Sequence, residues 1–353
     1  MAVRLGAVGL GGLGRLELGL YDQIDGVEIV AGADVSPDAR EGFDAAYDAP
    51  SYEDHAAMLA AHDLDAVSIV TPHTLHYDQA IACFEAGVDV FLEKPMVTGV
   101  ENAVDLVATA EERGRVLQVG YQRHFDPLFR ELRRVISSGR IGEVHAANAY
   151  LGQDWIELQR GTWRTAPDLS GGGQLYDSGS HLLDALLWTT DSTPRSVAAV
   201  VDDRGEDVDV NSALAAVLDR DGGTLTASVA VSGDGTNGEP DEGLVVWGTE
   251  GHVEYDGSSL TVCEDGVTYE ADIAADRDFE TLARRKLEDF VGAVETGDDP
   301  SVPGSFGLRV TALTEAAYEA AETGRVVDVA ERIEAARDAR AAADPDPEVA
   351  ADD

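Results

Sequence analysis

Val3-Arg4-Leu5-Gly6-Ala7-Val8, followed without a break by Gly9-Leu10-Gly11-Gly12-Leu13-Gly14, is the stretch that decides the fold. The first six residues read as a buried strand, and the glycines turn the chain sharply into a helical segment. A GxGxxG pattern alone is weak, because glycine is common. Its setting lends weight: a strand precedes it, a helix follows, and Asp34 ends the next apolar run about 20 residues past Gly14. In such a turn the backbone approaches a pyrophosphate at a helix N-terminus, while the carboxylate accepts hydrogen bonds from a ribose diol. Gly9, Gly11, Gly12, Leu13, Gly14 and Asp34 are therefore expected cofactor contacts. Asp34 repels a ribose 2′-phosphate and favours NAD, yet Ser36 and Arg40 are suited to receive that phosphate, which keeps NADP open.

Working outward, Val27–Ala33, Asp65–Val70, Val88–Leu92 and Arg115–Gly120 read as further buried strands. Helical segments at His55–Ala61, Leu75–Ala86 and Val100–Glu112 separate them, with Ser51 or Thr98 as caps. This alternation predicts right-handed crossovers and an α/β Rossmann domain, a doubly wound parallel sheet, over residues 1–122. After Asp126-Pro127 the pattern changes. A helix at Leu128–Ser137 leads into strand candidates from Val144 to Ala271, then two helices, Phe279–Glu295 and Leu308–Thr323. Residues 123–330 are expected to form an α+β domain on a large, mainly antiparallel open sheet. The acidic stretch 331–353 is expected to be disordered, most clearly from about Ala341.

The composition excludes whole classes of function. Acidic residues number 68 against 25 basic ones, for a net charge of −43, so nucleic acid and anionic membranes are poor partners. No stretch is apolar enough to span a bilayer, and a strand and turn explain the apolar N-terminus better than a signal peptide does. Cys83 and Cys263 cannot build a disulfide framework, which fits a reducing, cytoplasmic setting. Only two basic residues are lysine, Lys94 and Lys286. Excess acid with almost no lysine is the balance of a protein kept hydrated in molar salt, and it predicts a halophilic source.

Two further stretches carry chemistry. Glu93-Lys94-Pro95 ends a strand at the edge where doubly wound sheets hold ligands. Lys94 survives a bias that removed nearly every other lysine, and arginine cannot supply a compact ammonium beside a reacting alkoxide. Lys286, near an apolar helical stripe, reads as a snorkelling or paired structural residue. In Gly171-Gly172-Gly173-Gln174-Leu175-Tyr176-Asp177-Ser178-Gly179-Ser180-His181, Asp177 and His181 stand four apart, so both project from one helix face. Asp177 is suited to hold a substrate hydroxyl and His181 to exchange its proton; a lone histidine beside Leu182-Leu183 is equally compatible with core packing. His73 and His76 lack the further ligands of a metal site, so no metal is expected. Trp155, Trp163, Arg164 and Arg123 fall near the expected cleft.

The order of these features, together with Thr71-Pro72-x-x-x-His76, Gly120-Tyr121-Gln122-Arg123-His124-Phe125 and Gly142-x-Val144, resembles the Gfo/Idh/MocA oxidoreductases, the group of glucose-fructose oxidoreductase and inositol dehydrogenase. The resemblance extends to about Val329. It implies a catalytic set of Lys94, Asp177 and His181, and cofactor contacts that include Thr71, Pro72, His76, Glu93 and Lys94. It also implies substrate contacts from Arg123, His124, Trp163 and Arg164, and a Lys94–Pro95 bond that is a candidate for cis. Where such enzymes often carry two arginines, this chain has Arg123-His124. The implied activity is NAD(P)-dependent hydride transfer at a secondary alcohol or hemiacetal carbon of a polyol or sugar, in a homodimer or homotetramer joined through the C-terminal sheet. Two rivals remain: an aldose–aldose oxidoreductase with tightly bound NADP, and a non-catalytic nucleotide sensor.

Overall fold

The computed structural model describes residues 2–236 and 241–343. β1 (Val3–Val8) feeds α1 (Gly12–Tyr21). β2 (Val27–Ala33), α2 (Pro37–Ala46), β3 (Ser51–Tyr52), α3 (His55–Ala61), β4 (Ala66–Ile69), α4 (His76–Glu85), β5 (Asp89–Leu92), α5 (Val100–Arg113) and β6 (Leu117–Val119) follow in alternation. The six strands are all parallel, in the order β3-β2-β1-β4-β5-β6. The order reverses between β1 and β4, which puts the ligand crevice beyond their carboxyl ends. The helix caps differ from the sequence expectation. Ser51 lies in β3, and Asp54 caps α3 by accepting from the Ala57 N–H at 2.8 Å. Gly99, at φ +86°, precedes α5 in place of a Thr98 cap.

The second domain begins with α6 (Pro127–Ser137), β7 (Val144–Gly152), the short α7 (Trp155–Gln159) and α8 (Pro167–Ser170), and α9 (Ser178–Thr190). β8 (Ser192–Asp202), β9 (Asn211–Arg220), β10 (Gly223–Ser232), β11 (Glu242–Gly248), β12 (Gly251–Tyr255), β13 (Leu260–Glu264) and β14 (Val267–Glu270) complete most of its sheet. After α10 (Phe279–Thr296) and α11 (Gly304–Thr323), β15 (Val327–Asp328) adds the last strand and α12 (Val329–Ala343) follows. The sheet runs β14-β13-β12-β11-β7-β10-β9-β8-β15, antiparallel at every pairing except β7 with β10. Residues along β10 alternate between buried and exposed, with α9 and α11 on the covered side of the sheet. The other face is open, and Val200 there is 71% exposed.

Two boundaries are corrected. α10, which the sequence groups with residues 123–330, packs instead on the Rossmann sheet, where Leu287, Phe290 and Val291 share a core with Leu5, Tyr21 and Phe91. A parallel sheet must be covered on both faces, and the apolar stripe of α10 covers the part that the local helices leave bare. The chain is also ordered past residue 330. Arg340 of α12 donates to Asp105 and Glu112 of α5, each at 2.7 Å, while Val329 and Ala336 are buried, so an Ala/Glu/Arg-rich stretch finds a partner for its helix. Residues 344–353, also read as disordered, lie outside the described residues. Among the described residues no helix is long and apolar enough to cross a membrane.

The docking of α10 is testable. Phe290→Ala should cost about 3–5 kcal/mol, read as a lowered urea midpoint in molar KCl. A loss below about 1 kcal/mol would show that α10 is not a structural part of the first sheet.

Candidate active site

A cleft of about 520 Å³ opens at the carboxyl ends of β1, β2, β4 and β5. Its walls bring together Gly9, Gly11, Gly12, Leu13, Asp34, Thr71, Pro72, Glu93, Lys94, Trp163 and Arg164. A larger hollow, about 1110 Å³, lies at the amino ends of the strands beside Asp63, Asp89 and Arg115. Chemistry points to the first, because doubly wound sheets bind ligands at the carboxyl edge.

The glycine turn fits a dinucleotide. Gly9 has φ +93°, and a Cβ there would lie 2.2 Å from the Val70 carbonyl oxygen. A Cβ on Gly14 would lie 2.0 Å from the Gly9 oxygen, so Gly14 packs helix on strand and does not line the cleft. Around Gly11 and Gly12 the space is open, and no side chain caps α1, whose first N–H groups are left for an anion. Asp34 Oδ2 accepts from the Leu10 N–H and Oδ1 from the Ser36 N–H, both at 2.8 Å. These bonds fix the carboxylate at the tip of β2. Arg40 donates to the Asp34 carbonyl at 2.6 Å.

At the end of β5, Lys94 Nζ donates to Asp177 Oδ1 at 2.8 Å and to the Asp177 carbonyl at 3.2 Å. Asp177 Oδ2 accepts from the Trp155 indole at 2.9 Å and pairs with the Arg164 guanidinium at 3.1 Å. Burial alone would raise the Asp177 carboxyl, but Lys94 and Arg164 prevail and hold it well below the usual carboxylate range. Asp177 immediately precedes α9, with His181 one turn on, in edge-on contact with Tyr121. Burial, then the charges of Lys94 and Arg123, push the His181 imidazole well below its ordinary proton affinity, so it is neutral. The Lys94–Pro95 peptide is cis.

Beneath the cleft, Lys286 is 2% exposed and is paired rather than snorkelling. It donates to Glu17 at 2.7 Å and forms a short bond to Glu93. The other Glu93 oxygen accepts from the Lys94 N–H at 3.1 Å. Glu93 is thus chiefly a structural anchor for the strand end that carries Lys94. Burial pushes Glu17 up to about 8, against the pull of Lys286.

Neither Asp177 nor His181 is among the residues that line the cleft, although Asp177 borders it through Lys94 and Arg164. Three further sequence candidates stand away from its wall. His76 is fully buried, with Nε2 at 3.0 Å from the Thr71 carbonyl and Nδ1 at 3.0 Å from the Pro95 carbonyl; its single N–H donates to one of them while the ring packs behind both loops. Arg123 pairs with Glu242 and lies over Phe129. His124 is buried against Asp184 at 3.0 Å and stacks on Trp188. Both sit in the Gln122–Phe125 turn, in which His124 and Phe125 are buried.

Sequence reasoning missed Glu17 and Asp209, and considered His73 only as a metal ligand. Asp209 accepts from the Gly173 and Leu175 N–H groups at 2.5 and 2.8 Å, which pins the loop leading to Asp177. A Cβ on Gly173 would lie 1.9 Å from the Asp209 carbonyl oxygen. The triple glycine was a signal that some backbone approaches closely there.

A parallel sheet with a glycine turn, an acidic strand tip and a lysine facing the same crevice defines a nicotinamide-dependent oxidoreductase class. Residues 3–121 match the oxidoreductase family with an NAD-binding Rossmann fold, and residues 129–254 match the GFO/IDH/MocA C-terminal domain. The chain belongs to the Gfo/Idh/MocA family. It is 30% identical to inositol 2-dehydrogenase of Rhizobium meliloti over 94% of this chain and 100% of that one. It is 29% identical to D-xylose 1-dehydrogenase [NADP(+)] of Haloarcula marismortui, covering 83% and 84%. An aldose-aldose oxidoreductase from Caulobacter crescentus, solved with glycerol, shares the fold at a TM-score of 0.79 and 24% identity, covering 93% and 100%.

Glu17 supplies a pH prediction. Its folded value near 8 lies above the ordinary 4.5, so folding takes up a proton between these limits and the Glu17 contribution to stability falls as pH rises through them. Glu17→Gln should therefore gain stability relative to wild type between pH 5 and pH 8, measured by urea denaturation in molar KCl. A constant difference would refute the assignment.

Proposed function

We propose that the protein transfers a hydride between NAD(P) and a secondary alcohol or hemiacetal carbon of a polyol, sugar or sugar derivative. The observation that carries this reading is the Lys94 ammonium, held at 2.8 Å by Asp177 and facing the cleft that ends at the glycine turn. When bound, the nicotinamide supplies the hydride acceptor or donor. Gly9, Gly11, Gly12 and Leu13 hold the pyrophosphate, and Asp34 holds the adenosine ribose diol, which favours NAD over NADP. Lys94 donates to the reacting oxygen and stabilises its developing negative charge. The neutral His181 imidazole takes the hydroxyl proton. Asp177 orients Lys94 through Oδ1, while its Oδ2 is shared by Trp155 and Arg164.

The likeness to inositol and xylose dehydrogenases supports a polyhydroxylated substrate. Trp163, edge-on to His73, and Arg164, 4.4 Å above the Trp163 ring, give the cleft an aromatic wall with a charged rim. Assembly through the open sheet face, with Val200 and Trp247 exposed on it, as a homodimer or homotetramer belongs to the same reading. So does a cytoplasmic location in a salt-accumulating cell.

Turnover of NAD and NADP with inositols, aldoses and sugar acids in molar KCl tests the substrate class. Lys94→Met should lower kcat by at least about 100-fold while NAD affinity changes by less than about threefold. Unchanged turnover would remove Lys94 from the chemistry.

A further inference from the structure

His73 follows Pro72, four residues past the end of β4, and is 3% exposed, yet it forms part of the cleft wall beside Lys94, Trp163 and Arg164. Its ring is clamped. Nδ1 lies 2.9 Å from the Ser170 carbonyl, and the plane meets Trp163 edge-on at 90° with centroids 4.7 Å apart. A carbonyl only accepts, so Nδ1 carries the hydrogen and Nε2 is left with its lone pair. Burial, aided by Lys94 and His76 and opposed by Asp177, lowers the proton affinity of this imidazole to about 3, so the tautomer persists through neutral pH. Nε2 has no partner among the described residues.

This acceptor is fixed in orientation and open to the cleft, so a ligand hydroxyl that enters can replace water on it with the geometry already set. The neighbouring groups offer the complementary chemistry. Lys94 and Arg164 are donors, and the Asp177 oxygens are already engaged. A ligand bearing several hydroxyl groups needs an acceptor as well as donors, and His73 is the buried neutral one.

We propose that His73 is a ligand-binding residue whose Nε2 accepts a hydrogen bond from a hydroxyl in the cleft, belonging either to the polyol substrate or to a cofactor ribose. This rests on the hydride-transfer reading above. The contact selects for a hydroxyl at one position without adding charge to the site.

Two substitutions separate this role from loop anchoring. Asn places its amide where Nδ1 lies, so His73→Asn keeps the bond to Ser170 and loses the distal acceptor. Gln places an oxygen where Nε2 lies, so His73→Gln keeps the acceptor. The measurements are kcat and KM for the best polyol of the panel, NAD affinity by titration calorimetry, and thermal unfolding to verify folding. His73→Asn should raise KM or the NAD Kd by about tenfold or more, with His73→Gln within about threefold of wild type. A change confined to KM assigns the hydroxyl to the substrate; one confined to Kd assigns it to the ribose. Wild-type affinity in His73→Asn, or a His73→Gln no better than His73→Asn, would overturn the proposal. A wild type that binds NAD but oxidises no polyol would instead defeat the substrate class, leaving the NAD titration to decide the ribose contact.

Discussion

The Lys94–Asp177 ion pair joins the two domains at the point where chemistry is expected, and much of the site exists to satisfy it. The partners are 83 residues apart in sequence and both side chains are largely out of solvent. A charge pair withdrawn from water is tolerated only if the remaining lone pairs and hydrogens are also met. Trp155 and Arg164 meet those of Asp177, and both come from the segment between β7 and α9. The aromatic and guanidinium groups that wall the cleft are thus also what allows Asp177 to stay ionised in a buried place.

Rigidity comes from the backbone on either side of the pair. Asp209 holds Gly173 and Leu175, while Tyr176 and Gly99 both donate to Glu315 of α11 at 2.6 and 2.7 Å. On the Rossmann side, Glu93 links the Lys94 backbone to Lys286, and Lys286 reaches Glu17 on α1. The helix that follows the glycine turn and the strand end that carries Lys94 therefore share one buried cation.

What was legible in the sequence follows from this physics. A glycine turn, a strand-end lysine and a DxxxH pair are marked by rare residue types or rigid spacing, so the Rossmann sheet and the Lys94–Asp177 region could be read directly. Glu17 and Asp209 could not, because each is one of 68 acidic residues and its partner is distant in sequence. The return of α10 to the first sheet was hidden for a related reason. An amphipathic stripe declares that a face is buried but not against what. His124 misled because position in a motif says nothing about which way a side chain turns, and Asp184 and Trp188 draw it inward.

The composition bears on the mechanism in one further way. In a chain of net charge −43, arginine does nearly all the surface pairing, while Lys286 is buried and Lys94 largely withdrawn from solvent, each beside a carboxylate. An ammonium offers three hydrogens around a single point, whereas a guanidinium spreads five over a plane. Lys286 gives two of its three to Glu17 and Glu93. Lys94 gives its own to the Asp177 carboxylate and carbonyl, and its third has no partner among the described residues. A hydrogen on a cation fixed by its other two bonds is free for an oxygen that enters the cleft. That is the requirement for a group that must favour an alkoxide over an alcohol without moving to do so.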